Sequence, residues 1–345
     1  MNTFDTLSQL CNAVGVSGAE NAVAQKAAEL LQSYGEVVVT PALGNVMCRV
    51  GVFDDKKPTV ILDAHMDEIG MIVTYITDDG FLKVSGCGGI DSRILLGQQV
   101  AIYGKEKLIG IVTSTPPHLE KDSTAAPDID EIYIDTGLDG ERANELISLG
   151  DIVLIENDLE RLQGGRVTAK AIDDRSGMTA ILLALDLLKG RDTFYNIVVL
   201  FSSQEEIGER GAATGGFLSK ASTAIVVDVS FAKTHGESDE NCGIMGKGPM
   251  IGFAPSLSGE MSDKFKLIAE KNRIPYQIEV MNGRTGTNAD AIGISGHGKV
   301  TVTISIPEKH MHTPVEIVDL NDIENTAVLI AEYLCNCDSG EEASV

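Results

Sequence analysis

Two adjacent carboxylates follow a strongly apolar segment of the chain. Residues 197–201 read Ile-Val-Val-Leu-Phe, a run typical of a buried strand, and Glu205 and Glu206 come shortly after it, followed by a Gly at 208. In an extended segment, neighbouring side chains point to opposite sides, so these two carboxylates are expected to do different work. One could hold a metal ion while the other acts on water. Adjacent glutamates are also common on solvated surfaces, so this interpretation needs support from elsewhere in the chain.

Side chains of the kind that bind metals also lie at the ends of the other apolar segments. They are His65 and Asp67 after residues 60–64, Asp173 and Asp174 before a helical segment, Asp228 after residues 224–227, and His310 and His312 beyond residues 300–306. Open α/β sheets bind ligands outside the carboxyl ends of their strands, so groups far apart in sequence can meet there. The repeated placement favours one shared site.

The residue types indicate the chemistry of that site. Two imidazoles and several carboxylates suit Zn²⁺, Co²⁺ or Mn²⁺ better than an all-oxygen Ca²⁺ site. Two such ions, about 3.5–4 Å apart, need a bridging carboxylate; they lower the pKa of bound water from ~16 toward ~7 and polarise a carbonyl. One carboxylate must stay unligated to move the proton. The pattern therefore predicts a metal-dependent hydrolase.

Each part of the pattern also has a simpler interpretation when taken alone. His65 could be a hydrogen-bonded histidine at a strand end, and Asp173 and Asp174 could cap the helix that follows them. His310 and His312 could lie on a surface loop. The metal interpretation rests on all of these residues together.

The elements that would position these residues alternate between strands and helices. The predicted strands are 36–40, 46–52, 58–65, 196–202, 223–229, 276–280 and 300–306, and the predicted helices are 22–34, 175–189, 262–272 and 320–334. Residues 17–20 read Ser-Gly-Ala-Glu, a capping-box pattern for the helix at 22–34. The alternation predicts an α/β fold, a mostly parallel sheet with helices on both faces.

Residues 68–162 interrupt this alternation. Six short segments with strand patterns, separated by turn residues, follow one another at 70–76, 81–84, 98–103, 108–113, 131–134 and 151–155. We therefore expect a smaller β-rich domain at 68–162, inserted into a discontinuous catalytic α/β domain made of residues 1–67 and 163–345.

Composition excludes some classes of partner and compartment. The 345 residues include 51 acidic and 27 basic side chains, a net charge of −24, which argues against binding to nucleic acid or to an anionic membrane. We find no apolar run of about 18 residues and no signal-peptide pattern at the start. The six cysteines are scattered, as in a reduced protein, so we expect a cytoplasmic location.

Four motifs together resemble those of the M42 family of dinuclear metallo-aminopeptidases. They are Asp-Ala-His-Met-Asp-Glu-Ile-Gly at 63–70, Lys-Ala-Ile-Asp-Asp-Arg-Ser-Gly at 170–177, Ser-Gln-Glu-Glu-Ile-Gly at 203–208 and Met-His-Thr-Pro-Val-Glu at 311–316. Residues 95–98 and 286–289 match as well, so the resemblance runs almost from end to end. The family includes glutamyl aminopeptidases and proteins once labelled cellulase M or endoglucanase.

The resemblance implies a set of metal ligands. Asp173 would bridge two metal ions, Zn²⁺ or Co²⁺ and possibly Mn²⁺. His65 and Asp228 would complete one site, and Glu206 and His312 the other. The peptide bond between Asp173 and Asp174 is often cis in such enzymes.

The resemblance also implies two catalytic residues. Glu205 would be the general base. It would take a proton from the water that bridges the metal ions and pass it to the leaving amine. Asp67 would orient the His65 ring, a common arrangement for ligating histidines. Independently of the family, the two-residue spacing places Asp67 on the same side of the strand as His65.

The activity implied is the removal of amino-terminal residues from short peptides. The resemblance further implies a homo-oligomer, in which dimers formed through the inserted domain assemble into a dodecamer. A deacylase, dipeptidase or carboxypeptidase on the same scaffold is the first alternative. A glycosidase explains the pattern poorly, because it needs a carboxyl pair and no dinuclear metal. A non-catalytic metal-binding protein would not need an unligated base such as Glu205.

Overall fold

The computed structural model describes residues 1–113, 127–236 and 242–336. Its strands are β1 (Gly35–Val39), β2 (Val46–Val50), β3 (Thr59–His65), β4 (Gly70–Ile76), β5 (Leu82–Cys87), β6 (Gln99–Tyr103), β7 (Lys107–Val112), β8 (Tyr133–Asp135), β9 (Ile152–Leu154), β10 (Glu160–Arg161), β11 (Arg166–Ala169), β12 (Asn196–Ser202), β13 (Thr223–Phe231), β14 (Met250–Phe253), β15 (Gln277–Val280), β16 (Val300–Glu308) and β17 (Glu316–Asp319). Its α-helices are α1 (Thr3–Cys11), α2 (Asn21–Leu31), α3 (Gly140–Leu146), α4 (Ile172–Leu187), α5 (Arg210–Ser219), α6 (Gly259–Asn272), α7 (Ala289–Gly293) and α8 (Leu320–Asn336).

The largest sheet has eight strands in the order β1-β2-β12-β3-β13-β16-β14-β15. Its four central strands, β12, β3, β13 and β16, are mutually parallel, and β14 is parallel to β15. The pairs β1–β2, β2–β12 and β14–β16 are antiparallel. Strand β12 is buried along its whole length, as a parallel strand covered on both faces must be. The predicted α/β class, with a mostly parallel sheet, is confirmed.

Helices cover both faces of this sheet. Val60 and Leu62 of β3 point into a core that includes residues of α1, α4, α6 and α8, whereas Ile61 between them points into a second core with α5 and α7. This alternation is the two-residue period of a strand, and it is why β3 has to be apolar throughout. The sheet is therefore the middle layer of three.

Strands β4 to β9 close into a barrel in the order β4-β5-β8-β7-β6-β9. The barrel has its own apolar core, separate from that of the sheet, with Met71, Val84, Ile102 and Ile134 among its buried members. Its six strands lie where the sequence predicts strands, and a helix that the sequence did not predict, α3, precedes β9. The domain limits at 68 and 162 stay a prediction.

The capping box predicted at residues 17–20 is wrong. The Glu20 position caps α2 without a side-chain hydrogen bond to the helix, and its carboxylate instead accepts from the Gly18 amide at 2.7 Å. The Ser17 hydroxyl donates to Asp67. Ser17 therefore bonds to Asp67, which is distant in sequence, and not to the helix that the local pattern indicated.

No helix in the described part of the chain is long and apolar enough to cross a membrane.

Candidate metal centre

The sheet brings the predicted site residues together at the carboxyl ends of its central strands. His65 is the last residue of β3, and the β3–β13 register pairs Asp63 with Val226, so two residues later His65 faces Asp228. Glu205 and Glu206 follow β12 in a turn, and His312 lies between β16 and β17. The parallel arrangement is thus what gathers residues that are up to 247 positions apart.

Asp173 lies between the two imidazoles. Its Oδ1 is 2.9 Å from His65 Nε2, and its Oδ2 is 3.4 Å from His312 Nε2. His65 Nε2 is also 4.0 Å from Asp228 Oδ1, and His312 Nε2 is 3.4 Å from Glu206 Oε2. A carboxylate with one oxygen directed to each of two ligand groups has the geometry that a bridging ligand needs.

Two overlapping groups of side chains have ligand atoms close enough to share a metal ion. His65, Asp173 and Glu206 form one, and His65, Asp174 and Asp228 form the other, with the ligand atoms of each group within 4.8 Å of one another. The peptide bond between Asp173 and Asp174 is cis. Four of the five predicted ligands belong to these groups, whereas His312 belongs to neither, and Asp174, which was not predicted as a ligand, belongs to the second. The individual roles stay predictions.

Mutual hydrogen bonding sets the ionisation of the two histidines and of Asp173 against the effect of burial. Burial would lower the pKa of His65, but the hydrogen bond to Asp173 and the Asp67 carboxylate, 3.6 Å from the ring, outweigh this and hold the pKa well above its usual value. A hydrogen bond to Asp173 raises the pKa of His312 to about 9. Burial would raise the pKa of Asp173, yet the bonds from His312 and His65 keep it below its ordinary range. These three groups behave as one charge-paired unit.

The remaining carboxyl groups lack such compensation. Burial raises the pKa of Glu205 to about 7 and that of Glu206 to about 8, and the charge on Asp173 adds to both shifts. Burial and the charge on Asp174 raise the pKa of Asp228 well above its usual value. Carboxylates crowded in this way are costly to keep ionised unless cations join them.

The residues present fit divalent metal ions. Five carboxyl groups and two imidazoles converge, and Asp174 Oδ2 is buried without a hydrogen-bond partner in the described part of the chain. Mixed nitrogen and oxygen donors are the set that Zn²⁺ and its neighbours prefer. Metal dependence follows from this chemistry.

Asp67 holds the pair of glutamates as well as the histidine. Its Oδ1 accepts from the Glu205 amide at 2.9 Å, and its Oδ2 accepts from the Glu206 amide at 3.2 Å. His65 Nδ1 is 3.1 Å from the main-chain oxygen of Asp67 and 3.6 Å from its carboxylate. The hydrogen bond to the ring is thus made by the main chain of Asp67, while its carboxylate fixes the turn that carries Glu205.

Two further anchors were not singled out from the sequence. Glu316 accepts from the Asp173 amide at 3.1 Å and from the His312 amide at 3.0 Å, which ties the two ligands together. The main-chain oxygen of Gly89, in the barrel, is 3.2 Å from His312 Nδ1. A Cβ at Gly89 would lie 2.7 Å from that nitrogen, so only glycine allows this approach. Glu316 ends the motif at 311–316 without its role being apparent from the pattern, and nothing in the local pattern at Gly89 signalled a role.

Three residues beside the ligands adopt the left-handed backbone conformation without being glycine. Ala171 precedes the two aspartates with φ 56°, Gln204 precedes the two glutamates with φ 56°, and His312 itself has φ 60°. Such a conformation costs roughly 1–2 kcal/mol per residue, and it clusters at functional sites. His310, also left-handed, is in neither of the two ligand groups found among the described residues.

A cavity of about 490 Å³ opens directly over these residues. Its lining includes the candidate ligands and Glu205, together with further residues of β13, β15 and β16 such as Ser230, Glu279 and Ser305. A volume of this size accommodates an amino-acid residue and part of its neighbour.

Comparison with known proteins places the chain in a family. The profile of the M42 glutamyl aminopeptidase family matches residues 44–329. The lysyl aminopeptidase of Pyrococcus furiosus is 32% identical, with 97% of each chain covered. An aminopeptidase from the archaeon Desulfurococcus kamchatkensis has 31% identity and a TM-score of 0.90, covering 97% of this chain and 95% of its own.

A second solved structure is equally informative. The TET1 peptidase of Pyrococcus horikoshii, which can assemble into a tetrahedron or a large octahedral shell, has 30% identity and a TM-score of 0.85, covering 97% of this chain and all of its own. The profile match spans most of the sequence, and the identities are 30–32% over almost the full length. The chain therefore belongs to the M42 family of aminopeptidases, hydrolases that act on peptide bonds.

Proposed function

We propose that this chain removes amino-terminal residues from short peptides, with two divalent metal ions and Glu205 as general base. The observation that carries the proposal is the position of Asp173, which directs one oxygen toward the His65 group and the other toward the His312 group. His65 and Asp228 would complete one metal site, and Glu206 and His312 the other. Bound there, the metals would lower the pKa of water and polarise the scissile carbonyl.

Glu205 is the carboxylate best placed to move protons. It lines the cavity beside the proposed ligands, and it is the first glutamate of the Ser-Gln-Glu-Glu motif, to which the family resemblance gives the role of unligated base. Its amide is held by Asp67, so the side chain stays beside the ligands while its carboxyl group remains free. Glu205 takes the proton of the attacking water and passes it to the leaving amine, as a general base and then acid.

The donor atoms of the site support the choice of metal, and the free thiols of the described cysteines support the compartment. Imidazole and carboxylate donors support Zn²⁺ or Co²⁺, with Mn²⁺ as a further candidate. The described cysteines are free thiols, which supports a reducing, cytoplasmic location. The family is named for glutamyl aminopeptidases, whereas one relative is a lysyl aminopeptidase. These names leave the preferred amino-terminal residue open.

The barrel offers the surface for the proposed homo-oligomer. Ile109 and Ile111 of β7 alternate with buried positions and are 48% and 47% exposed, which leaves an apolar stripe on the outside. An exposed apolar stripe of this kind is typical of an interface between copies. With the dodecamer described for PhTET1, it supports dimers that join through residues 68–162 into a dodecamer.

A panel of aminoacyl p-nitroanilides tests the proposed function. Chelator-stripped protein should be inactive and should recover on addition of Zn²⁺ or Co²⁺, cleaving free but not N-acetylated aminoacyl substrates. Release of acetate from the N-acetylated compounds without release of p-nitroaniline would instead indicate a deacylase, and hydrolysis that persists without metal would contradict the proposal.

A further inference from the structure

The cavity contains a carboxylate that the proposed chemistry does not use. Glu279 lies on β15, lines the same cavity as Glu205 and Glu206, and is half-buried. Among the described residues that line the cavity, none is Lys or Arg. Among the described residues of this lining, Glu279 is the only charged side chain that does not belong to the metal centre.

Two serines fix the Glu279 carboxylate in place. The Ser305 hydroxyl donates to Oε2 at 2.6 Å, and the Ser230 hydroxyl donates to Oε1. Each carboxylate oxygen can accept more than one hydrogen bond, so both remain able to accept another donor from the cavity. The result is a preorganised acceptor rather than a mobile surface glutamate.

The sheet places this acceptor close to the metal centre. Ser305 of β16 lies directly opposite Asp228 of β13 in the parallel register, and Ser230 is two residues beyond Asp228 on the same side of β13. Neighbouring strands are about 4.8 Å apart, and the Glu279 carboxylate is one hydrogen bond beyond Ser305. An extended lysine side chain spans roughly 6 Å from Cα to its nitrogen, so a residue bound beside the metal centre has a side chain long enough to approach another part of the cavity wall.

The rest of the wall suits the stem of such a side chain. Phe231, Met281 and Met311 line the same cavity and supply apolar contacts. Lysine and arginine bury their methylene stems against apolar surface and keep the charged end on a polar partner. An acidic side chain would instead meet the Glu279 carboxylate as a like charge without a compensating cation in the described lining.

We infer that Glu279, held by Ser230 and Ser305, selects peptides whose amino-terminal residue is lysine or arginine. This rests on the proposed aminopeptidase function, since it assigns the side-chain pocket of that same site. The competing assignment is that Glu279 binds the free α-amino group, which every substrate carries. The two assignments differ in what they predict for substrates without a side-chain charge.

The test compares lysyl, arginyl, norleucyl and glutamyl p-nitroanilides on the metal-loaded enzyme and on Glu279→Gln. Norleucine has the lysine stem without the ammonium group. Since a hydrogen bond to a charged group is worth more than a neutral one, kcat/KM for lysine should exceed that for norleucine by roughly 10- to 100-fold. In Glu279→Gln the ratio should fall to about one, with the norleucyl substrate little affected. Glu260→Gln, a change at an exposed helix position, is the matched control and should keep the wild-type ratio.

A binding measurement separates this inference from the proposed function. Calorimetry should show that the wild type binds free L-lysine more tightly than free L-norleucine. Glu279→Gln should bind the two amino acids with equal affinity. A uniform fall in kcat/KM for all substrates would assign Glu279 to the α-amino group and overturn the inference. A wild-type preference for glutamate, or equal binding of lysine and norleucine, would overturn it too. If the wild type cleaved none of the substrates but still bound lysine more tightly than norleucine, the aminopeptidase proposal would be contradicted and the inference about Glu279 would not.

Discussion

Two clusters of buried charge lie side by side in this chain, and they are completed in different ways. In the first, the Glu68 cluster, Lys170 Nζ is 3.0 and 2.8 Å from the two Glu68 oxygens and also donates to the Cys11 main-chain oxygen at 2.8 Å. The Gly15 amide donates to Glu68 Oε1 at 2.9 Å, and Arg175 Nη2 lies 3.7 Å from the same oxygen. The chain itself supplies every partner that this acid needs.

The second cluster, the metal centre described above, is left incomplete by the chain. It shares neighbours with the first, because Asp67 precedes Glu68 and Asp174 precedes Arg175. Yet its carboxyl groups outnumber its imidazoles, and burial shifts the pKa of Glu205 to about 7 and of Glu206 to about 8. The difference indicates that one cluster holds the fold together and the other is built to take cations from solution.

The largest effect is expected at the carboxylate between the imidazoles. Asp173→Asn keeps the shape but weakens the side chain proposed to be a ligand common to both metal sites, and metal polarisation contributes several kcal/mol to such reactions. Turnover should fall by roughly 10³-fold or more. Elemental analysis should show fewer metal ions per subunit, and circular dichroism should show an intact fold. Full metal content together with full activity in this variant would show that Asp173 is not a ligand needed for turnover.

A change in the Glu68 cluster should act on stability instead. Lys170→Met leaves Glu68 buried without its main partner, and breaking a buried ion pair in this way costs about 3–5 kcal/mol of unfolding free energy. Denaturant titration measures the loss. The control is Lys26→Met, which breaks an exposed pair with Glu29 and should cost under about 1 kcal/mol. Equal losses in the two variants would mean that burial of the Glu68 cluster is unimportant.

Metal addition separates the clusters in a single experiment. A ligand that binds only the folded state at about 100 times its Kd adds about 2.7 kcal/mol to the free energy of unfolding. Chelated wild type and Lys170→Met should both gain this amount when metal is restored, whereas Asp173→Asn should gain much less. Thermal or denaturant unfolding with and without metal is the measurement, and a gain of equal size in Asp173→Asn would place the ions elsewhere.

The smallest effect is expected at Asp67, which lies between the two clusters. Asp67→Asn loses acceptor capacity for the Glu205 and Glu206 amides, and partners of this kind typically change activity or metal affinity by about 10–100-fold. The kcat on the cleaved substrate should fall while the free energy of unfolding changes little. A variant as active as the wild type would show that the turn is held without Asp67.

Much of this arrangement was predictable from the sequence, for reasons visible in particular residues. Strands β3, β12 and β13 are apolar on both sides, so their positions and carboxyl ends could be identified without the structure. The ligands at those ends then followed from the rule that parallel strands present their carboxyl ends together. The barrel strands could be identified because turn residues separate them.

Other elements gave no clear local pattern. Helix α5 contains Gly211, Gly215 and Gly216, which weaken its helical pattern, yet a Cβ at Gly215 would lie 2.5 Å from Leu200, so close packing on the sheet requires glycine. Ser17 matched a local capping pattern but donates to Asp67, 50 residues away. Glu279 is one glutamate on an edge strand until the fold places it beside Ser305. Such contacts depend on tertiary structure and cannot be found from neighbouring residues.

One measurement tests the central claim most directly, namely metal content and turnover determined on the same preparation of Glu205→Gln. If Glu205 is the unligated base beside a dinuclear centre, this variant should retain about two metal ions per subunit while kcat falls by roughly 10²- to 10⁴-fold. Wild-type turnover in the variant would show that Glu205 is not the base. Loss of metal together with activity would show that it is a ligand, and the division of work between Glu205 and Glu206 would have to be reversed.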